Sequence, residues 1–236
     1  MQRYFMDEKK DIFELSNDDS YHIIKVMRNK IGDKVEVVID KKIHICEIIN
    51  LDKKVTVKKI EELTEDSELP CHVTIAQSLV KEQKMDLILQ KACELGVGEI
   101  IPINTTRSIV KLDKKEKKKI DRWNKILKEA SEQSKRVVIP TVNEILDIKD
   151  LIKLNYDLKI LCTVNEVSTS LKKVLSKNIN GAKIILVIGP EGGFTDEEEK
   201  ILIENGYIST SFGNRVLRTE TASLYALSII NYILMR

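Results

Sequence analysis

Hydrophobic positions recur at short range over the first 69 residues. VEVVID (35–40), HICEII (44–49) and VTVKKI (55–60) are β-branched runs. Asp40-Lys41-Lys42 and Leu51-Asp52-Lys53-Lys54 fall between them, where hairpins would turn. Over residues 18–28 the period changes, and Tyr21, Ile24 and Met27 line one face of an expected short helix. A small barrel carrying one helix fits this pattern. TEDSELP (64–70) is acidic and aperiodic, ends in proline, and marks a linker.

From residue 71 strands and helices alternate. HVTIAQ (72–77), EIIPIN (99–104), LKILCT (158–163), KIILVI (183–188) and ISTSF (208–212) read as strands. A helix over 83–96 turns Met85, Ile88, Leu89 and Ala92 inward, with Gly96 at its end. A long helix over 114–136 buries Ile120, Trp123, Leu127 and Ala130. A short helix falls near 168–176. Thr195 starts another, with Glu198 completing a capping box. Thr219 is expected to cap the last helix, 220–234, which is apolar almost all round and so expected to be buried. The alternation predicts an α/β domain with a parallel sheet covered on both faces.

Length and composition narrow the class. The 236 residues allow one large domain or two modest ones, and 42% hydrophobic with 32% charged residues is ordinary for a soluble protein. No apolar run approaches the roughly 18 residues of a membrane span. The start, MQRYFMDEKKD, lacks a secretory apolar core, so a cytoplasmic location is expected. Four scattered cysteines form no C-x-x-C pair, and no metal site is expected. Residues 1–69 hold 13 basic and 16 acidic side chains, and the remainder holds 26 and 21. Neither part is the strongly basic body of a non-specific nucleic-acid binder, so RNA would have to meet a local patch.

Two segments carry candidate chemistry. IGPEGGFTDEEE (188–199) follows the most apolar strand, and GNRVLRTETAS (213–223) joins the last strand to the last helix. The first is neither G-x-G-x-x-G nor a P-loop, and its late position disfavours a classical dinucleotide fold. It offers main-chain groups with little side-chain cover; a tight turn that needs glycine is the structural alternative. Loops at the carboxyl ends of parallel strands share one edge, so 189–194, 213–221 and the end of 158–166 are expected to meet.

IGPEGGFTDEE followed by RVLRTETA resembles the RsmE-type small-subunit ribosomal RNA methyltransferases of the SPOUT class. HIIKVMR (22–28), KMDLILQKACELGVGEIIPI (84–103) and EQSKR (132–136) are similar to further motifs of that family. The chain departs from the pattern at Lys81-Glu82-Gln83, at Lys135, where a glycine is common, and at Asn214, often proline. The resemblance implies a PUA-like β-barrel RNA-binding domain over 1–69 and a trefoil-knotted SPOUT methyltransferase domain over 70–236. It further implies S-adenosylmethionine as methyl donor, N3 of a uridine in small-subunit (16S) ribosomal RNA as acceptor, in the 30S subunit or a precursor, and a homodimer.

Candidate residues follow from these motifs. Arg218 is the first choice to stabilise charge on the uridine imide as its proton leaves; Arg136 is the second, and Glu191 is a candidate base or loop organiser. Thr163, Ile188, Gly189, Glu191, Gly193, Val216, Leu217, Arg218 and Thr221 are the candidate cofactor residues. Arg3, His22, Lys25, Arg28 and Lys81 are the candidate RNA contacts, with Lys25 and Arg28 three apart on one helix face. The lysine-rich run at 111–122 is a further candidate for phosphate, or else a solvated helix face. Two other readings stand beside the methyltransferase: a non-catalytic RNA- or ribosome-binding module, and a nucleotide- or NAD-dependent α/β enzyme.

Overall fold

The computed structural model describes residues 1–7, 9–64, 67–110, 116–176 and 179–234. Two compact units emerge: Met1–Glu68 together with Ser131–Val138, and Leu69–Ala130 together with Ile139–Arg236. The eight-residue return of the chain to the first unit was not expected from the sequence.

In the first unit, β1 (Arg3–Phe5), β2 (Ile12–Glu14), β3 (Lys34–Ile39), β4 (Lys42–Leu51) and β5 (Val55–Leu63) form one sheet in the order β1-β3-β4-β5-β2. Alternation along β3–β5 sends Val35, Val37, Cys46, Ile48, Val55 and Val57 into a core closed by Tyr4, Phe13 and Ile23. The β3–β4 hairpin turns on Asp40 and Lys41, both left-handed, with φ of 49° and 64°. That is the geometry of a two-residue turn matched to strand twist.

The expected helix at 18–28 is instead α1 (Asn17–Tyr21) followed by a π-helical turn (His22–Met27). Ser16 caps α1 by accepting from the Asp19 amide. The change of pitch turns Ile23 inward, while Tyr21 and Met27 are exposed. The 3.6-residue face read from the sequence therefore does not hold here.

The second unit begins with β6 (His72–Ser78), α2 (Glu82–Glu94) and β7 (Glu99–Asn104). α3 (Glu116–Gln133) follows, its last turn grouping with the first unit. Then come β8 (Thr141–Val142), β9 (Leu146–Asp147), α4 (Ile148–Leu151), β10 (Leu158–Cys162), α5 (Leu171–Val174), β11 (Lys183–Ile188), α6 (Asp196–Glu204), β12 (Ile208–Thr210) and α7 (Thr219–Leu234). The sheet is parallel throughout, in the order β12-β10-β11-β6-β7-β8, with β9 also on β7. One apolar layer packs α2, α3 and α7 on one face, around Ile88, Leu127 and Leu227. Another packs Ile185, Val187 and Leu202 on the other. The inward face foreseen for α2 is fully buried. Thr195 and Glu198 form the foreseen capping box at α6.

Candidate functional site

Register brings the candidate loops together. Cys162 lies beside Ile188 and Thr210, and Ile188 lies beside Gln77. Four strands of one parallel sheet thus end side by side, and their outgoing loops share an edge. There the structure has a cavity of about 490 Å³, within the range of about 300–1,000 Å³ usual for small-molecule sites. Of the nine candidate cofactor residues, Thr163, Ile188, Gly189, Glu191, Gly193, Val216, Leu217 and Arg218 line it. Thr221 does not: it lies one turn into α7, on the exposed side.

The glycine loop is held from behind by hydrogen bonds. The Gly189 carbonyl accepts from Thr219 Oγ1 at 2.7 Å, and that of Pro190 from the Gly193 amide at 3.0 Å. Arg107 Nη1 donates to the carbonyls of Gly192 and Phe194 at 3.0 and 2.9 Å. Gly193 is left-handed, with φ of 68°, and a Cβ on Gly189 would come within 3.1 Å of the Phe194 ring. Glycine is therefore needed at these two positions by backbone conformation and by packing.

The cavity holds three arginines, at 107, 215 and 218, and three glutamates, at 166, 191 and 199. The glutamates are all engaged. Glu191 accepts from Lys84 Nζ at 2.7 Å. Partial burial pushes its carboxyl up, but the Lys84 hydrogen bond and the charges of Lys84 and Lys81 outweigh that and leave it below the usual carboxylate value. Lys84 also faces Glu220 at 3.5 Å, so one ammonium from α2 bridges the glycine loop and the first turn of α7. Glu166 accepts from the Ser168 hydroxyl and from the amides of Ser168 and Thr169, which hold it at about 2. Glu199 takes the Thr163 hydroxyl and Asn165 Nδ2. Arg215 and Arg218 are exposed and, among the described residues, have no ion-pair partner.

The remaining candidates belong elsewhere. Arg136 is in the first unit, buried against Glu68, with Nε 3.1 Å from a carboxylate oxygen. Arg3 is 3% exposed; it donates to Glu36 at 2.8 Å and to the carbonyls of Lys135 and Arg136. Its guanidinium pins the returning segment rather than facing outward, which corrects the expectation of a surface contact. Lys135 has a φ of 62°, the conformation a glycine would take readily. His22 Nδ1 is hydrogen-bonded to the Tyr4 hydroxyl at 3.0 Å. Lys25 and Arg28 are exposed, but π-helical pitch and the left-handed φ of 56° at Arg28 break the row expected of them. Lys81 is exposed and opens α2. Residues 111–115 of the lysine-rich run lie outside the described residues.

Sequence reasoning did not single out Lys84, Arg107, Gln77 or the hydrogen bond from Thr219 to Gly189. The strand-edge rule contained a signal for two of them. Gln77 is near the end of β6, and Arg107 follows β7, on the same sheet edge as the glycine loop.

Comparison with known proteins agrees with this geometry. Residues 67–231 match the family described as RNA methyltransferase domain, and residues 15–60 match that described as RNA methyltransferase PUA domain. The chain is 38% identical to a Bacillus subtilis protein named Ribosomal RNA small subunit methyltransferase E, over 98% of this chain and 96% of that one. A Neisseria gonorrhoeae protein of the same name, solved bound to S-adenosyl methionine, is 29% identical, with a TM-score of 0.89 over 99% of this chain and 98% of that one. A Legionella pneumophila methyltransferase solved with the same cofactor is 31% identical, with a TM-score of 0.90 over 98% and 97% of the two chains.

Proposed function

The chain belongs to the RNA methyltransferase family of these relatives, and from that premise we propose that it is an S-adenosylmethionine-dependent methyltransferase acting on N3 of a uridine in small-subunit ribosomal RNA. The observation that carries the reading is the meeting of 189–194 and 213–219 around one cavity at the carboxyl edge of the sheet. The cavity suits the cofactor. A Cβ at Gly193 or Gly213 would meet nothing within 4 Å, so main chain is open there, and Ile188 and Leu217 offer apolar surface beside it.

S-adenosylmethionine, when bound, supplies an electrophilic methyl group. The protein's own part is positioning and electrostatics. Ile188, Gly189, Gly193, Val216 and Leu217, with Thr163, form the walls that hold the donor. Arg218, without an ion-pair partner among the described residues, meets the charge that grows on the uridine carbonyl oxygens as the N3 proton leaves. Glu191 is an organiser: paired with Lys84 and held below its ordinary value, it is a poor proton acceptor at neutral pH. Arg136 has an organising role too, through Glu68. No histidine among the described residues lines the cavity, which leaves histidine base catalysis without a candidate.

The first unit serves as the RNA-binding domain, with Lys25, Arg28 and His22 as contacts, and Lys81 adds one from the second. The substrate is the 30S subunit or its precursor, in the cytoplasm; no helix among the described residues is long and apolar enough to cross a membrane. The protein works as a homodimer. The knot implied by the motifs falls between β10 and α7, a reading supported by β10 lying between β12 and β11. Nucleoside mass spectrometry of ribosomal RNA tests the assignment. Deleting the gene should remove a 3-methyluridine from the small-subunit RNA, and the intact protein should restore it. Undiminished 3-methyluridine in a strain with no second such enzyme would overturn it.

A further inference from the structure

A buried polar network joins three segments of the site. Gln77 is fully buried near the end of β6. Its Nε2 donates to Thr219 Oγ1 at 2.9 Å and to the Ser78 carbonyl at 3.1 Å, and its Oε1 accepts from Ser223 Oγ at 2.6 Å. The Thr219 hydroxyl in turn donates to the Gly189 carbonyl at 2.7 Å.

The chemistry allows only one orientation. A hydroxyl has a single proton, and Thr219 gives it to Gly189, because a carbonyl can only accept. Toward Gln77 the Thr219 oxygen must therefore accept, so the amide presents its NH₂ there and its oxygen to Ser223. Every side-chain polar atom of Gln77 and Thr219 is then satisfied, and a satisfied network in a water-poor interior is both strong and specific. A threonine that merely began a helix would turn its oxygen to an amide two or three residues ahead. Thr219 instead accepts from residue 77 and donates to residue 189.

We propose that Gln77 and Thr219 are positioning residues of the methyl-transfer site: a hydroxyl–amide tie that holds the glycine loop and Arg218 in one fixed relation. Thr219 is one peptide from Arg218, and Gly189 is the point where β11 gives way to the glycine loop. A shift at either end of the tie would move donor-binding main chain and arginine apart. A loss of 1 Å in such alignment can cost far more rate than binding. The inference rests on the functional reading above.

Single-turnover methylation of small-subunit ribosomal RNA tests it, alongside S-adenosylmethionine calorimetry and thermal unfolding. Thr219→Val keeps the shape and deletes the hydroxyl; Gln77→Met breaks the tie from its other end. Each should slow transfer at saturating cofactor and RNA by about tenfold or more, the factor that corresponds to one lost hydrogen bond. Thr219→Ser should restore most of the rate. Transfer at the unsubstituted rate in both Thr219→Val and Gln77→Met would overturn the positioning role, as would a Thr219→Ser variant as slow as Thr219→Val. Failure of the unsubstituted protein to bind S-adenosylmethionine would instead overturn the functional reading, and this inference with it.

Discussion

Arg218 and Glu191 sit in the same cavity with opposite degrees of freedom. Arg218 is exposed and has no ion-pair partner among the described residues, whereas Glu191 is tied to Lys84. Charge that is free before the reaction can strengthen its contacts as the transition state forms, and only such differential binding raises rate. Arg218→Ala should therefore lower the methyl-transfer rate by about 10²–10³, the cost of removing one charge-stabilising donor. S-adenosylmethionine affinity, read by calorimetry, should change much less; equal losses would make Arg218 a cofactor residue. The Glu191 carboxyl should titrate below 4.5 in a carbon-detected NMR titration. Because its folded value is depressed, its contribution to stability is present above the unfolded value and is lost as pH falls through the folded one. Lys84→Met should move the titration upward, and an unmoved midpoint would show that Lys84 does not hold the carboxylate.

The elements show which parts of the chain could be read in advance. Strands β3–β7 and β11 and helix α2 were legible, because alternation in the first unit, unbroken apolar runs in β6, β7 and β11, and 3.6-residue spacing in α2 report burial directly. The hairpin at Asp40-Lys41 was legible as a turn, but not its left-handed backbone, since lysine gives no sign of positive φ. Lys41→Gly should relieve that conformation and stabilise the protein by about 1 kcal/mol. Thermal denaturation measures it, and a lower midpoint would contradict the turn geometry. The π-helical turn was not legible, because its pitch is set by how Ile23 packs among β-strand residues distant in sequence. The same limit applied to the site. Both motif loops and their shared edge could be read from β–α alternation, while the side chains that tie them come from β6, α2 and the loop after β7, over 80 residues away. Thr219 illustrates the difference: its position before a helix suggested a cap, and only the three-dimensional neighbourhood made it a cross-link.

On the scale of the whole molecule, α7 is apolar almost all round and was expected to be buried, and it is buried on one side only. Ala226, Leu227 and Ile230 are fully buried, while Tyr225, Tyr232 and Ile233 are 40%, 78% and 40% exposed. Such an apolar face is where the proposed homodimer would place its subunit contact. Joint substitution of Tyr232→Asp and Ile233→Asp should convert dimer to monomer in sedimentation velocity; an unchanged dimer would place the contact elsewhere. The chain is also not divided at a single cut. The first unit takes Ser131–Val138 from far along the sequence, where Val137 completes a cluster with Val38 and Ile43, and Arg136 pairs with Glu68. A chain leaving the ribosome N-terminus first therefore cannot finish its leading unit when residue 68 emerges. It must wait for Val138, because until then Val38 and Ile43, already packed by Phe5 and Leu63, lack Val137, and Glu68 lacks Arg136.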